Sequence, residues 1–377
     1  MLDKQIIALI RLSLIPGIGP VSSRKFLQYF DRPAAIFSGE WPQELPRLSE
    51  RLQESLAMDQ YLKQAERYYN RALKLGITVI SYEHQEYPDY LNQCPDAPLV
   101  LYCKGKIQAN ASPGLAVVGT RSMTPYGRDF CREFIQELQR HNPIIISGLA
   151  YGVDICGQRA ALKSGLQTIA CLAHGLDCIY PSAHQADALA IMNQGGLISE
   201  FPPGIRPRPE YFLRRNRLIA GMAQATVVIE TGDQGGSLVT ADYALGYHRE
   251  VFAVPGRLSD PMSAGCNRLI SQQRAQLLRS AGELAVALNW KSSLQEKAPL
   301  TESIPNSEAS FPAGWSRSRV AIATFLRDRQ KCQIDALLIA TKIPPALLNQ
   351  ELFLMEMEGL IQGFPGKSYS WVRKAGF

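Results

Sequence analysis

The stretch GLAVVGTRSMTPYGRDF, Gly114 to Phe130, decides the fold. It opens on small apolar residues, passes through Gly119, Thr120 and Arg121, and after a turn runs into a helix-like segment. A strand that ends in glycine just before a helix is where an open α/β sheet holds phosphate. An arginine, however, stands where a dinucleotide fold places its second glycine. The G-x-G-x-x-G fingerprint is absent, so NAD or FAD is not the expected ligand. The G-x-x-x-x-G-K-[ST] loop is absent too, which argues against ATP hydrolysis of the P-loop kind.

Outward from this stretch, between Tyr87 and about Asn289, short Val- and Ile-rich runs alternate with helical segments. The runs are LAVVG, IIISG, TIACLA, LISE, TVVIE and VFAVPG, each nearly continuous in apolar character, as strands buried on both faces are. This alternation predicts an α/β fold, a Rossmann-like doubly wound parallel sheet over residues 83–290 with right-handed crossovers. Residues 1–82 read as a helical domain throughout, with leucines and tyrosines at helical spacing and a stop at Gly76. Residues 291–313, rich in Ser, Pro and Glu and without periodicity, read as a flexible linker. Residues 314–377 offer three helical runs and the hairpin-like LIQGFPGKSYSWV, the pattern of a winged helix.

Composition bounds the function classes. The chain has 377 residues, 46% hydrophobic and 20% charged, which places it among soluble globular proteins with more than one core. No apolar run approaches the ~18 residues of a membrane span. MLDKQIIALIRLSLIPG carries Asp3 and Arg11 and reads as an amphipathic helix rather than a signal peptide. Eight cysteines without a Cys-x-x-Cys pair point to reduced thiols and a cytoplasmic protein. The net charge of +6 is modest, so the placement of the charges matters more than their sum.

Two glycine-bearing loops leave strand ends. In VVGTRS, Gly119 would let backbone approach a ligand, Thr120 offers a hydroxyl and Arg121 a planar fork for phosphate. In VVIETGDQGGSLVTADYA, Gly235 and Gly236 precede a helix beginning near Ser237, whose free amides favour an anion. Either loop alone is also what a tight turn looks like; their shared sheet favours the functional reading. Between them, PPGIRPRPEYFLRRNRLIAG holds Arg206, Arg208, Arg214, Arg215 and Arg217 against Glu210, with Tyr211 and Phe212 interleaved. A solvated basic loop is the plain alternative. Guanidiniums interleaved with aromatic faces, on a loop stiffened by proline, are the composition that grips an unpaired polynucleotide.

The motifs VVGTR, IISGLAYGVD, GLDCIYP, GGLISEFPPG, FLRRNRLIAGM, GGSLVTADYAL, VFAVPG and GCNRLI resemble, in this order, the DNA-processing protein A family over about residues 85–280. The flanking regions are similar to that family's helical N-terminal and winged-helix C-terminal domains. The resemblance implies a cytoplasmic bacterial protein that binds single-stranded DNA and places the recombinase RecA on it, which in naturally transformable bacteria protects incoming DNA. It implies a homodimer formed through the Rossmann-like domain, with Cys266, Asn267, Leu269 and Ile270 on the segment assigned to dimerisation, and no cofactor, metal or membrane. Gly119, Thr120 and Arg121 are expected to hold backbone phosphate. Phe212 is expected to stack on a base, and Arg215, Asn216 and Arg217 to line the groove. Gly235, Gly236, Ser237 and Thr240 are expected to complete the anion pocket. The sequence departs from the family pattern at Leu213 (usually proline), at His184 (usually asparagine) and in LISQQRAQLL, where Gln273 and Arg274 stand near a usual Gly-Ala step.

LSLIPGIGPVSSRKFLQYF resembles a helix-hairpin-helix turn in which Arg24 and Lys25 would assist a backbone contact; a packing turn is the alternative. Cys171, His174, Cys178 and His184 lack the spacing of a zinc finger. In the last domain, PPALLNQELFLMEMEGL carries Glu351, Glu356 and Glu358 and no Lys or Arg, so its expected contact is with protein rather than duplex DNA. The rival function is a nucleotide phosphoribohydrolase-like enzyme sharing the Gly235 loop, with Asp242 as the nearest carboxylate and Asp154 a helix N-terminal acid. A recombinase scaffold that never touches DNA would leave Phe212 without a purpose.

Overall fold

Val, Ile and Leu in every run named above are buried, and each run forms a strand. The computed structural model describes residues 2–291, 315–327, 332–364 and 368–372. Helices α1 (Leu2–Leu14), α2 (Pro20–Leu27), α3 (Glu50–Ala57) and α4 (Asp59–Lys74) come first, then β1 (Thr78–Ser81), a helical turn α5 (Asp89–Asn92) and β2 (Val100–Gly105). Strand and helix then alternate through β3 (Gly114–Val118), α6 (Pro125–Glu137), β4 (Ile144–Ser147), α7 (Val153–Lys163) and β5 (Thr168–Cys171). The alternation continues with α8 (Gln185–Gln194), β6 (Gly196–Ser199), α9 (Pro209–Gly221), β7 (Ala225–Val228) and α10 (Gly236–Gly246). It ends with β8 (Glu250–Ala253), α11 (Ala264–Ser271), β9 (Gln276–Leu277) and α12 (Ala281–Ala287).

Among the described residues, nine of these strands form one sheet in the order β1-β2-β6-β5-β4-β3-β7-β8-β9. The pairs from β6 across to β9 are parallel, while β1 with β2 and β2 with β6 are antiparallel. Strand order runs outward from β3 in both directions, through β4, β5 and β6 on one side and β7, β8 and β9 on the other. In such a sheet the connections leaving the carboxyl ends of β3 and β7 diverge and open a crevice between them. Val117 and Val118 on β3 face Val227 and Val228 on β7 in register, so Gly119 and Ile229 begin the two walls.

The expectation of helix throughout residues 1–82 fails at Thr78–Ser81. Val79 and Ile80 are buried and the strand pairs with β2, Val79 opposite Tyr102. The β-branched Ile77, Thr78, Val79 and Ile80 favour a strand once an edge is there to accept them. The preceding helices do not stand apart either. Leu9, Ile10 and Leu12 share one core with Val100, Tyr102 and Leu172 of the sheet region.

Two compact units result, Met1–Ala298 and Pro299–Phe377. In the second, α13 (Arg317–Arg327), α14 (Ile334–Thr341) and α15 (Pro345–Met357) enclose Ile322, Leu326, Leu348, Leu352 and Met355. Strands β10 (Cys332–Gln333), β11 (Ile361–Phe364) and β12 (Ser368–Trp371) form, among the described residues, a sheet in the order β10-β12-β11. The linker expected at 291–313 lies outside the described residues from 292 onward, as does the hairpin turn 365–367. Among the described residues no helix is long and apolar enough to cross a membrane.

Candidate nucleic-acid interface

The loop after β3 is tied to the wall opposite. The Thr120 amide donates to the Glu230 carbonyl at 2.7 Å, and the Thr124 amide donates to Glu230 Oε2 at 2.9 Å. The Thr124 hydroxyl also binds the Glu230 carboxylate and accepts from the Gly127 amide, capping α6. Glu230, buried just beyond β7, thus holds both walls together. Packing alone already requires Gly119: a Cβ there would collide with the Val153 side chain and lie 2.7 Å from the Glu230 carbonyl. The half-buried Thr120 accepts at its hydroxyl from the Ser122 amide at 3.1 Å. Gly152, at φ +75°, adopts a backbone that favours glycine, and a side chain there would strike the Thr120 carbonyl. With these atoms committed, Arg121 is the exposed member of the motif.

The arginine-aromatic segment is a helix where a loop was expected. Arg208 is the N-cap and α9 begins at Pro209, whose fixed φ suits a first helical position. Helical periodicity then divides the arginines. Arg215 is 3% and Arg217 4% exposed, which corrects the expectation that they line the groove. Arg215 Nη1 donates to the Gly148 carbonyl at 2.8 Å and to the Cys171 carbonyl, crosslinking the ends of β4 and β5. Burial lowers the Arg215 pKa against the pull of the Asp154 carboxylate. Burial in turn pushes the Asp154 carboxyl up, against the pull of Arg215. Asp154 also accepts from the Gly148 amide at 3.2 Å. Arg217 pairs with Glu200 at 2.5 Å and donates to the Asp96 carbonyl. Arg214, partly exposed, donates to the same Glu200 oxygen at 2.7 Å. Glu200, at the end of β6, therefore opposes two arginines that a count of nearby charges sets only against Glu210.

Phe212 is brought to the rim. The Arg121 guanidinium stands 5.5 Å from the Phe212 ring centroid and Arg215 lies 5.8 Å from the same ring, both within cation–π range. Tyr180, 48% exposed, meets Phe212 edge-on at 5.8 Å between centroids. Its place in GLDCIYP is visible in the sequence, but nothing local to that motif points to Phe212. Arg206 and Arg208 are exposed and, among the described residues, without an ion-pair partner.

On the opposite wall, Asn216 Nδ2 donates to the Gly236 carbonyl at 3.2 Å, joining α9 to the start of α10. Gly235 is the N-cap and has no side-chain capping bond, so the first amides of α10 lack intrahelical acceptors. Gly236 is exposed, and a Cβ built on it meets nothing within 4 Å. The hydroxyls expected to complete this pocket are not presented: Ser237 is buried and donates to Thr231 Oγ1 at 2.8 Å, and Thr240 is buried inside the helix. What remains at the rim is Arg121, Phe212, Tyr180, the Arg206–Arg208 pair and the α10 amides.

A family model for DNA recombination-mediator protein A matches residues 78–289. The chain belongs to this family. The match reaches back to β1, further than the quoted motifs. A putative DNA processing protein DprA of Mycobacterium tuberculosis is 34% identical over 276 residues, covering 73% of this chain and 69% of that protein. DNA processing protein DprA of Streptococcus pneumoniae is 35% identical over 227 residues, covering 58% and 80%. The solved DNA processing protein A of Streptococcus pneumoniae superposes with a TM-score of 0.62 at 29% identity, covering 76% of this chain and 98% of that one. A Helicobacter pylori DNA processing protein A, described for its single-stranded DNA binding mode, gives a TM-score of 0.51 at 29% identity, covering 56% and 100%.

Within the family frame, several expectations change. Cys266 and Leu269 are buried in the protomer's own core and offer no surface to a second copy. Asn267 exchanges hydrogen bonds with the Gly256 backbone, and Ile270 is half-buried against the same core. Gln273 takes a φ of +56°, a left-handed conformation that favours glycine, and Arg274 pairs with Asp242. His184 Nδ1 bonds the Leu149 carbonyl at 2.8 Å. Near the N-terminus, Arg24 is engaged with Asn92 Oδ1 at 2.8 Å instead of reaching outward. In the second unit Glu351, Glu356 and Glu358 are bound by Ser316, the Gly363 amide and Arg319. Of the three, Glu351 is buried while Glu356 and Glu358 stay exposed, beside Phe353 and Met357 at 63% and 73% exposure.

Proposed function

We propose that this protein binds single-stranded DNA without reading its sequence, through the crevice between β3 and β7, and loads the recombinase RecA onto the bound strand. The observation that carries the reading is the Arg121 guanidinium 5.5 Å from the Phe212 ring, at the point where strand order reverses. A flat aromatic face beside an unpaired guanidinium suits a base and its phosphate, and neither group selects one base over another. Arg206, Arg208 and the free amides of α10 extend the positive rim beyond what one mononucleotide requires. No catalytic residue is assigned: Asp242 is held by Arg274, and Glu230 is turned onto Thr124. Asp233, exposed on the loop before α10, is paired with Arg268 at 3.3 Å, so among the described residues the carboxylates nearest the crevice are engaged and the phosphoribohydrolase alternative is not favoured.

Family membership supports recombination as the context, with RecA and natural transformation in the cytoplasm as what the motif resemblance adds. We further assign a homodimer through the first unit and a winged helix to the second, whose α15 carries no Lys or Arg and so suits a protein rather than a phosphate backbone. The experiment is growth of RecA filaments on single strands coated with this protein, the parent beside Arg121→Ala. Faster filament growth with the parent and not with the variant supports the reading; equal growth with both contradicts it.

A further inference from the structure

The cations at the crevice mouth continue onto a second surface. Helices α6 and α7 follow β3 and β4 and pack side by side, both starting at the carboxyl edge of the sheet. Between them runs a groove of about 920 Å³ that opens at Arg121 and Tyr151. Arg128, Arg132 and Gln136 line it from α6 at successive helical turns, and Arg159 and Lys163 line it from α7. The acids of α6, Asp129, Glu133 and Glu137, lie at other positions and do not line it. Asp154 of α7 is buried. Arg159 is taken by Asp187 at 2.7 Å. Arg121, Arg128, Arg132 and Lys163 have no carboxylate partner among the described residues.

Four uncompensated cations along one cleft repel one another and raise the local concentration of anions. From Arg128 to Gln139, eleven residue steps along α6 and the helical turn that follows it, the groove wall spans about 16 Å. That length suits a row of phosphates, whereas a single small anion would be gathered by converging groups. Arg128 and Arg132 are one turn apart, with Cβ atoms about 6 Å from each other, comparable with the repeat of an extended nucleotide backbone. Tyr151, half-exposed at the mouth and edge-on to His184 at 4.8 Å, offers a base a face at the bend. Arg121 is the one rim residue that also lines the groove, and so marks where a strand would pass from one to the other.

We propose that the α6–α7 groove is a second phosphate track that carries the single strand onward from the Phe212 crevice. This rests on the crevice being a single-strand site, and its test separates the two. The full chain carrying Arg128→Ala, Arg132→Ala and Lys163→Ala together is compared with the parent on oligothymidines of about 6 and about 20 nucleotides, one within and one beyond the roughly 4–16 nucleotides that a single-strand groove covers. The long oligomer should bind the variant at least tenfold more weakly, with a salt slope smaller by about 2, as three lost phosphate contacts on a single strand dictate. The short one should change less than twofold. Unchanged long-oligomer affinity, or an equal loss at both lengths, overturns the track. Loss of short-oligomer binding in Arg121→Ala reports on the crevice alone.

A second readout needs no variant. Cys156 is half-buried in the groove. Its alkylation by iodoacetamide should be slowed by the long oligomer and not by the short one. Alkylation indifferent to the long oligomer also overturns the proposal.

Discussion

Arg217 and Glu200 form an ion pair 2.5 Å apart, with side chains 5% and 2% exposed, that fastens α9 to the end of β6. The pair anchors the second half of α9, the helix that carries Phe212. Removing Arg217 leaves the buried Glu200 carboxylate with only the solvent-exposed Arg214 as an ion partner, a loss of up to about 3–5 kcal/mol. Arg217→Ala should lose that much in urea unfolding, whereas Arg208→Ala, at an exposed position, should change stability by less than about 0.5 kcal/mol. Equal stability of the two variants would contradict the assignment of Arg217 as structural.

Phe212 and Arg121 should separate in their response to salt. Phe212→Ala removes a stacking face worth about 1–3 kcal/mol per base and no charge. Its affinity for oligothymidine should fall five- to a hundredfold with the salt slope unchanged, and Phe212→Trp should restore it. Anisotropy titrations at several salt concentrations read both quantities.

Two glycines should behave in opposite ways. Gly119→Ala places a methyl against Val153 and the Glu230 carbonyl, an overpacking that costs about 1–3 kcal/mol and should lower the melting temperature. Gly236→Ala meets nothing within 4 Å and should melt like the parent. Its weaker binding, if the strand's phosphate approaches the α10 amides closely, is read in the same titration.

Cys156 should be the reactive thiol. A hydrogen bond from Cys131, with Arg132 and Arg128 nearby, lowers its pKa to about 7 against the counter-effect of burial. Burial raises Cys94, Cys103, Cys171 and Cys266. The thiolate is the nucleophile, so a depressed pKa means reactivity that grows as pH rises through about 7. Alkylation mapped by peptide mass should show Cys156 half-maximal near that pH and the buried thiols silent. A Cys156 profile centred near pH 9 would contradict it.

The sheet was legible because strands buried on both faces write themselves as unbroken Val and Ile runs, and all six runs became strands. β1 was not: four residues behind a long helix carry too little pattern, and the partner that recruits them lies at Val100–Gly105. The crevice was legible as two glycine loops and an arginine-aromatic segment. The fate of each arginine was not, because Arg217 depends on Glu200, seventeen residues away, and Arg215 on the carbonyls of Gly148 and Cys171. A helical reading of FLRRNRLIAG would have placed Arg215 on the side of Leu218 and Ile219 and Arg214 away from it. Ser237 and Thr240, both buried, misled for a related reason. A hydroxyl in a sequence does not declare whether it faces solvent or a neighbouring strand.

The central claim is that the crevice between β3 and β7 grips an unpaired strand through Arg121. Its most direct test is the affinity of a short labelled oligothymidine for the parent and for Arg121→Ala across a range of salt. The account predicts binding about tenfold weaker, with a salt slope reduced by about 1 and no change in base preference. An Arg121→Ala variant that binds as tightly as the parent, with the same slope, would contradict it.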